Sequence, residues 1–152
     1  MSKMSKIKVG IIGVGNCAKS LVEGIQYYKT NPDDTVGLMY ESIGGYTVNE
    51  IEFVVGFDVD RRKVNKPLVD ALRAAPNCAM DHVEEILENG SNTSGCVKKG
   101  AMVYSGPELD GVAPHMLDYP EEVSFRTGAE AAKSFDDIVN IVKDTEVDVL
   151  IN

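Results

Sequence analysis

The sequence predicts an α/β chain, a parallel sheet whose strands are joined by crossover helices. Three observations predict it. A short apolar run, IKVGII at residues 7–12, leads through Gly-Val-Gly into helical periodicity. A second apolar run, EFVVGFD at 52–58, ends in an acid. A third, VDVLIN at 147–152, follows a segment with a clear helix start. Strand-like runs that alternate with helical patterns imply parallel neighbours, because a parallel pair needs a long crossover connection. Apolar runs without polar alternation suit strands covered on both faces.

The elements follow in order. After the first strand and its turn, Ala18, Leu21, Val22 and Ile25 fall at i, i+3, i+4 and i+7, one face of a helix. Residues 31–49 hold Pro32, Gly37, Gly44 and Gly45 among polar residues and read as an inserted loop. The strand at 52–58 comes next, then a helix expected over 61–75 with Pro67 in its first turn, where a missing N–H costs little. Val83, Ile86 and Leu87 predict a short helix within 81–88, followed by an exposed Gly- and Ser-rich loop at 89–100. Residues 102–105 predict a third strand and 106–119, with two prolines, a loop. Ser134 and Asp137 have the spacing of a capping box, and Phe135, Ile138, Val139 and Val142 form the apolar face behind it. Residues 147–152 are expected to be a buried strand, so the sheet is incomplete at its C-terminal end.

The totals bound the function. The length, 152 residues, fits one domain. The net charge of −9 argues against nucleic acid, which needs a basic face; the Arg61–Arg62 and Lys98–Lys99 doublets do not make one. No apolar run is long enough to span a membrane. Cys17, Cys78 and Cys96 are odd in number, form no Cys-x-x-Cys, and read as thiols of a reducing compartment. The expectation is a cytoplasmic protein. His82 and His115 have no partner at ligand spacing, so no metal site is expected. No triad or carboxylate pair can be argued from spacing either, so no catalytic residue is assigned.

The turn carries the chemistry. Gly13 allows a tight exit from the strand, Gly15 lets backbone approach a pyrophosphate, and Ala18 stands where a small residue is needed for helix–strand packing. With Val14 between the glycines, this is the strand–turn–helix of a Rossmann-like dinucleotide site. The helix start offers free N–H groups and partial positive charge to phosphates. Asn16 and Cys17 are expected to contribute mainly main-chain donors. Asp58, ending the second strand, is placed to accept hydrogen bonds from an adenosine ribose, which favours NAD. It lies farther along than the usual spacing of about 20 residues, and the insertion at 31–49 accounts for the excess. Arg61 and Arg62 leave a 2′-phosphate, and so NADP, as the lesser alternative. The bland readings are a plain strand–helix connection at 13–15, and a solvated acidic face for Glu84, Glu85 and Glu88.

Five stretches together resemble one family. GVGNCAKSLVEGIQYY (13–28), TVGLMYESIGGY (35–46), FVVGFDVDRRKV (53–64), SGPELDG (105–111) and EVDVLIN (146–152) are similar to inositol-1-phosphate synthases of the shorter, prokaryotic type. The resemblance runs from about residue 7 to the end and is weakest over 77–104. It implies conversion of glucose 6-phosphate to 1D-myo-inositol 3-phosphate with tightly held NAD. The implied steps are oxidation at C5, enolisation at C6, intramolecular aldol attack on C1, and reduction. It implies that Gly13, Val14, Gly15, Asn16 and Cys17 form the pyrophosphate turn, that Asp58 is the ribose acid, and that Asn152 lies near the cofactor's other half. Gly106, Asp110 and Gly111 match a family loop without an assigned role. The family's catalytic lysines and sugar-phosphate site match nothing in residues 1–152. The expectation is therefore an NAD-binding N-terminal portion, inactive alone, of an enzyme that is a homo-oligomer (tetramer) when full length. A generic NAD-dependent dehydrogenase domain and a non-catalytic NAD-binding module are the alternative readings.

Overall fold

A computed structural model describes residues 5–86, 88–89, 95–109, 113–128 and 132–152. Six strands, β1 (Ile7–Ile12), β2 (Ile51–Asp58), β3 (Glu88–Asn89), β4 (Val97–Lys98), β5 (Val103–Ser105) and β6 (Val149–Ile151), form one parallel sheet. β1 lies between β2 and β6. The outer edge of β2 is paired twice, by Val97 of β4 opposite Phe53 and by β5 opposite Gly56–Asp58. The chain steps outward from β1 to β2 and later returns to the other side of β1. The C-terminal end of β1 is thus the point where the strand order reverses, the place where such sheets bind ligands.

Helices cover both faces. α1 (Asn16–Thr30) and α2 (Leu68–Arg73) close one side, around Val9, Ile11, Val14, Val22, Phe53, Leu68 and Leu72. α3 (Phe135–Asp144) covers the other through Ile138, Ile141 and Val142 against Val54, Val55 and Phe57. The capping box at its start is formed: Ser134 Oγ accepts from Asp137 N, and the Asp137 carboxylate accepts from Ser134 N.

A bulge decides which way β2 points. Register steps from Val9↔Phe53 to Gly10↔Val55, so Val54 is the extra residue. Phe53 packs on the α1 side, but Val55 and Phe57 pack on the α3 side. Side chains two apart share a face, so Gly56 and Asp58 face α1. A Cβ added at Gly56 would lie 3.0 Å from Val14 Cγ2 and 3.1 Å from Leu68 Cδ1 and Val103 Cγ2.

Several local expectations change. Residues 61–67 are not helical, and the helix is only Leu68–Arg73, with Pro67 as its N-cap rather than in its first turn. The residue before a proline is disfavoured in helical conformation, and this backbone bonds elsewhere: Asn65 N donates to Val103 O, Val103 N to Lys66 O, and Leu68 N to Ala101 O. The helix expected within 81–88 is absent over its described residues, and Leu87 lies outside them. The expected exposed loop at 89–100 contains β4, with Cys96 and Val97 fully buried; residues 90–94 lie outside the described set. The loop at 106–119 holds a 3₁₀ turn at Pro114–Asp118.

α1 is rotated from its expected face. Ala18, Val22 and Ile25 are buried, but Leu21 is 43% exposed. In its place the helix buries Lys19, Glu23, Gln26 and Lys29. Each polar side chain has a backbone partner: Lys19 Nζ donates to Ala79 O, Glu23 Oε2 accepts from His82 N, Gln26 Oε1 accepts from Cys96 N, and Lys29 Nζ donates to Ile51 O. β6 is not buried as expected. Val149 and Leu150 are 45% and 43% exposed; among the described residues β1 pairs only one edge of β6, and Phe135 and Val139 of α3 are exposed as well.

Candidate functional site: a cleft at the strand ends

The strands are parallel, so the loops leaving β1, β2, β5 and β6 meet at one edge of the sheet. They enclose a cleft of ≈ 510 Å³ whose floor includes Gly13, Gly15, Asp58 and Asn152. Gly106 and Leu109 from the loop after β5, with Phe125 and Phe135, make the apolar walls. The sequence reasoning missed Leu109, Phe125 and the buried Lys63 at this cleft. Nothing in a lone aromatic or a charge run marks it as facing another element.

The turn is held to β2. Gly13 N donates to Phe57 O at 2.8 Å, and Gly13 has φ +84°, a left-handed conformation that glycine adopts without strain. Val14 is buried, and its N–H donates to Asp58 Oδ2 at 2.8 Å. Gly15 is the N-cap of α1, with φ −96° and no side-chain cap, and the first turn carries no acidic residue. Neither its backbone nor its packing requires glycine: a Cβ added there meets nothing within 4 Å. The missing side chain keeps open the cleft side of the turn.

Asp58 is buried, and its carboxylate is largely used by the protein itself. Oδ1 accepts from Val59 N and Asp60 N, both at 2.8 Å, while Oδ2 accepts from Val14 N. A carboxylate offers about four acceptor positions, so about one remains, with the Lys63 ammonium 3.8 Å from Oδ2. Asn16 does more than the expected main-chain role. Its Oδ1 accepts from Cys78 N and Ala79 N at 2.8 Å, tying residues 78–79 to the turn. Cys17 is an exposed free thiol, and neither it nor Asn16 lines the cleft. Asp110 and Gly111 lie outside the described residues.

Both arginines after β2 are occupied. Arg61 pairs with Glu121 at 2.8 Å. Arg62 pairs with the fully buried Asp60 at 2.6 Å and also donates to the carbonyls of Glu121 and Ser124. Burial by itself would raise the Asp60 carboxyl. Hydrogen bonds from the Arg62 side chain and from the N–H groups of Arg62 and Arg126 outweigh it and hold the group below the ordinary carboxylate value. This clasp anchors residues 121–126, which carry Phe125 to the cleft. Among the described residues no group of three or more His, Cys, Asp or Glu side chains could hold a metal ion, and no helix is long and apolar enough to cross a membrane.

A parallel sheet with a glycine turn at the reversal of strand order, and an acid ending the next strand, defines the class of Rossmann-like α/β domains. No protein-family model matches the chain. It is 39% identical over 150 residues to the inositol-3-phosphate synthase of Corynebacterium glutamicum and 36% identical over 149 residues to that of Mycolicibacterium smegmatis. Each match covers 97% of this chain and 36% of the relative. The chain is thus similar over nearly its whole length to inositol-3-phosphate synthases and spans about a third of the length of the curated relatives it matches. Among solved structures, Ari2 superposes with a TM-score of 0.68 at 24% identity, over 96% of this chain and 37% of that one. A myo-inositol-1-phosphate synthase-related protein from Thermotoga maritima gives 0.67 at 18%, over 97% and 34%. These two likenesses speak for the fold.

Proposed function

We propose that residues 1–152 form the NAD-binding part of an enzyme that converts glucose 6-phosphate to 1D-myo-inositol 3-phosphate. The observation that carries the reading is Gly15. It is a glycine that the chain's own packing and backbone do not demand, at an uncapped helix start beside a cleft. A pyrophosphate fits that requirement, since it needs close main-chain approach and free N–H donors. Gly13 and Gly15 would admit it, and the first turn of α1, with Asn16 and Cys17, would supply main-chain donors. Val14 carries the fold of the turn from behind.

Asp58 would accept from a ribose hydroxyl with its remaining acceptor position, and Asn152 would lie near the nicotinamide half. The pairing of Arg62 with the buried Asp60 supports NAD over NADP, because that guanidinium is not left for a 2′-phosphate, and Arg61 makes a half-exposed pair with Glu121. The chemistry that bound NAD supplies is reversible hydride exchange, so the overall reaction is an isomerisation. The groups that hold the sugar phosphate and stabilise oxyanions would come from sequence that the relatives carry beyond the matched third. The exposed Phe135, Val139, Val149 and Leu150 support a covering second part against β6 and α3. That part would also carry the homo-oligomer contacts.

The test is to incubate the full-length gene product with glucose 6-phosphate and NAD. The expected result is inositol phosphate without net accumulation of NADH, and tighter binding of NAD than of NADP. Net NADH formation with a sugar or hydroxy-acid substrate would replace this reading with an ordinary dehydrogenase.

A further inference from the structure

We propose that Lys63 and Asn77 are positioning residues for the pyrophosphate turn: they hold the Val14 carbonyl and thereby aim the Gly15 N–H into the cleft. The inference rests on the reading of the cleft as a dinucleotide site. Lys63 is 1% exposed, and its Nζ donates to Val14 O at 2.7 Å and to Asn77 Oδ1 at 2.8 Å. Asn77 Nδ2 donates to the same Val14 O at 3.1 Å and to Leu72 O at 2.9 Å. The Val14 carbonyl and the Gly15 N–H belong to one planar trans peptide, so the two point in opposite directions. Two donors drawing the carbonyl toward the α2 side therefore turn the N–H the other way. The preceding peptide is held as well, by Asp58 on the Val14 N–H.

Lys63 and Asp58 also belong to one unit. The ammonium lies 3.8 Å from Asp58 Oδ2, so the buried cation that holds the carbonyl is balanced by the buried anion that holds the N–H. A buried lysine is costly unless it is paired and hydrogen-bonded, and here every recorded partner belongs to the turn or to what braces it. Residues 77–82 complete the brace through Asn16 on Cys78 and Ala79, Lys19 on Ala79 and Asp81, and Glu23 on His82. A purely structural brace would affect every ligand of the cleft alike. A positioning role acts on the pyrophosphate.

The experiment uses the full-length gene product and two probes, ADP-ribose and adenosine, titrated into wild type, Asn77→Ala and Lys63→Met. The expected result is a loss of about tenfold in ADP-ribose affinity for Asn77→Ala, the scale of one hydrogen bond, and a larger loss for Lys63→Met. For Asn77→Ala adenosine affinity should stay within about twofold, since Asn77 has no recorded bond to Asp58, the residue read as the ribose acceptor. In Asn77→Ala, equal losses for both probes, or no loss for either, would overturn the inference while wild-type binding leaves the functional reading standing. Failure of wild type to bind ADP-ribose would overturn that reading and this one with it. If Lys63→Met does not fold, Asn77→Ala decides, since Asn77 sits in a half-buried loop.

Discussion

The main-chain N–H of Val14 donates to Asp58 Oδ2 at 2.8 Å, joining the glycine turn after β1 to the end of β2. The same carboxylate holds Val59 N and Asp60 N. The residue expected to meet a ribose is thus also the one that shapes the turn. Asp58→Ala would leave three N–H groups without their acceptor and the buried Lys63 ammonium without its counter-charge. We expect a loss of about 3 kcal/mol in unfolding free energy, measured by urea denaturation.

Gly15 separates function from stability. Serine is at least as good as glycine at an N-cap, and a side chain there meets no protein atom. Gly15→Ser should therefore melt within a few degrees of wild type. Its hydroxymethyl group would stand in the path of the pyrophosphate, at an overpacking cost of about 1–3 kcal/mol or roughly 5- to 150-fold in NAD affinity. Calorimetric titration beside a thermal melt reads both.

Gly56 makes the opposite case. Its added Cβ would press on Val14, Leu68 and Val103, all fully buried. Gly56→Ala is expected to cost about 1–3 kcal/mol of stability through overpacking. Equal urea midpoints for variant and wild type would contradict that packing.

Two buried groups beneath α1 set opposing pH slopes. Burial, with the Lys6 charge, pushes Lys29 down from 10.5 to about 8. Between those values the unfolded chain binds more protons, so the Lys29 contribution to stability rises with pH. Burial pushes the Cys96 thiol up from 9.0 to about 11. There the folded chain holds a proton that the unfolded one gives up, so the Cys96 contribution falls with pH. Lys29→Met should leave a net fall in melting temperature above about pH 9, and Cys96→Ala a net rise.

At the acid end, the Asp60 carboxyl is held low by Arg62 and Arg126 against the effect of its burial. A depressed carboxyl stabilises above its unfolded value and loses that contribution as pH falls through the folded one. Asp60→Asn should be destabilised at neutral pH and show a shallower loss of melting temperature below about pH 4. An unchanged acid limb would count against the clasp.

Much was legible because it is local. The strand–turn–helix at 7–30 follows from adjacent apolar runs and a glycine whose φ is positive, and the α3 start from side chains three residues apart. The helix expected over 61–75 failed because residues 65–68 bond to 101–103, and no local pattern announces such a partner. The site was half legible. Gly13, Gly15, Asp58 and Asn152 line one cleft, whereas the Asn16 side chain braces 78–79 and Lys63 lies buried against the turn.

By itself the sequence determined the α/β alternation, the glycine turn, the acid at the end of β2 and the likeness to inositol-3-phosphate synthases. These depend on hydrogen bonds and side-chain spacings within a few residues, which any reading of the chain contains. Only the tertiary structure decided that a bulge at Val54 turns Asp58 toward Val14, and that α1 buries Lys19, Glu23, Gln26 and Lys29 in preference to Leu21. It alone decided that β6 stays half exposed. Register and burial are set by neighbours tens of residues away, which give each of these polar side chains a backbone partner while leaving Glu23 Oε1 and Gln26 Nε2 without one among the described residues.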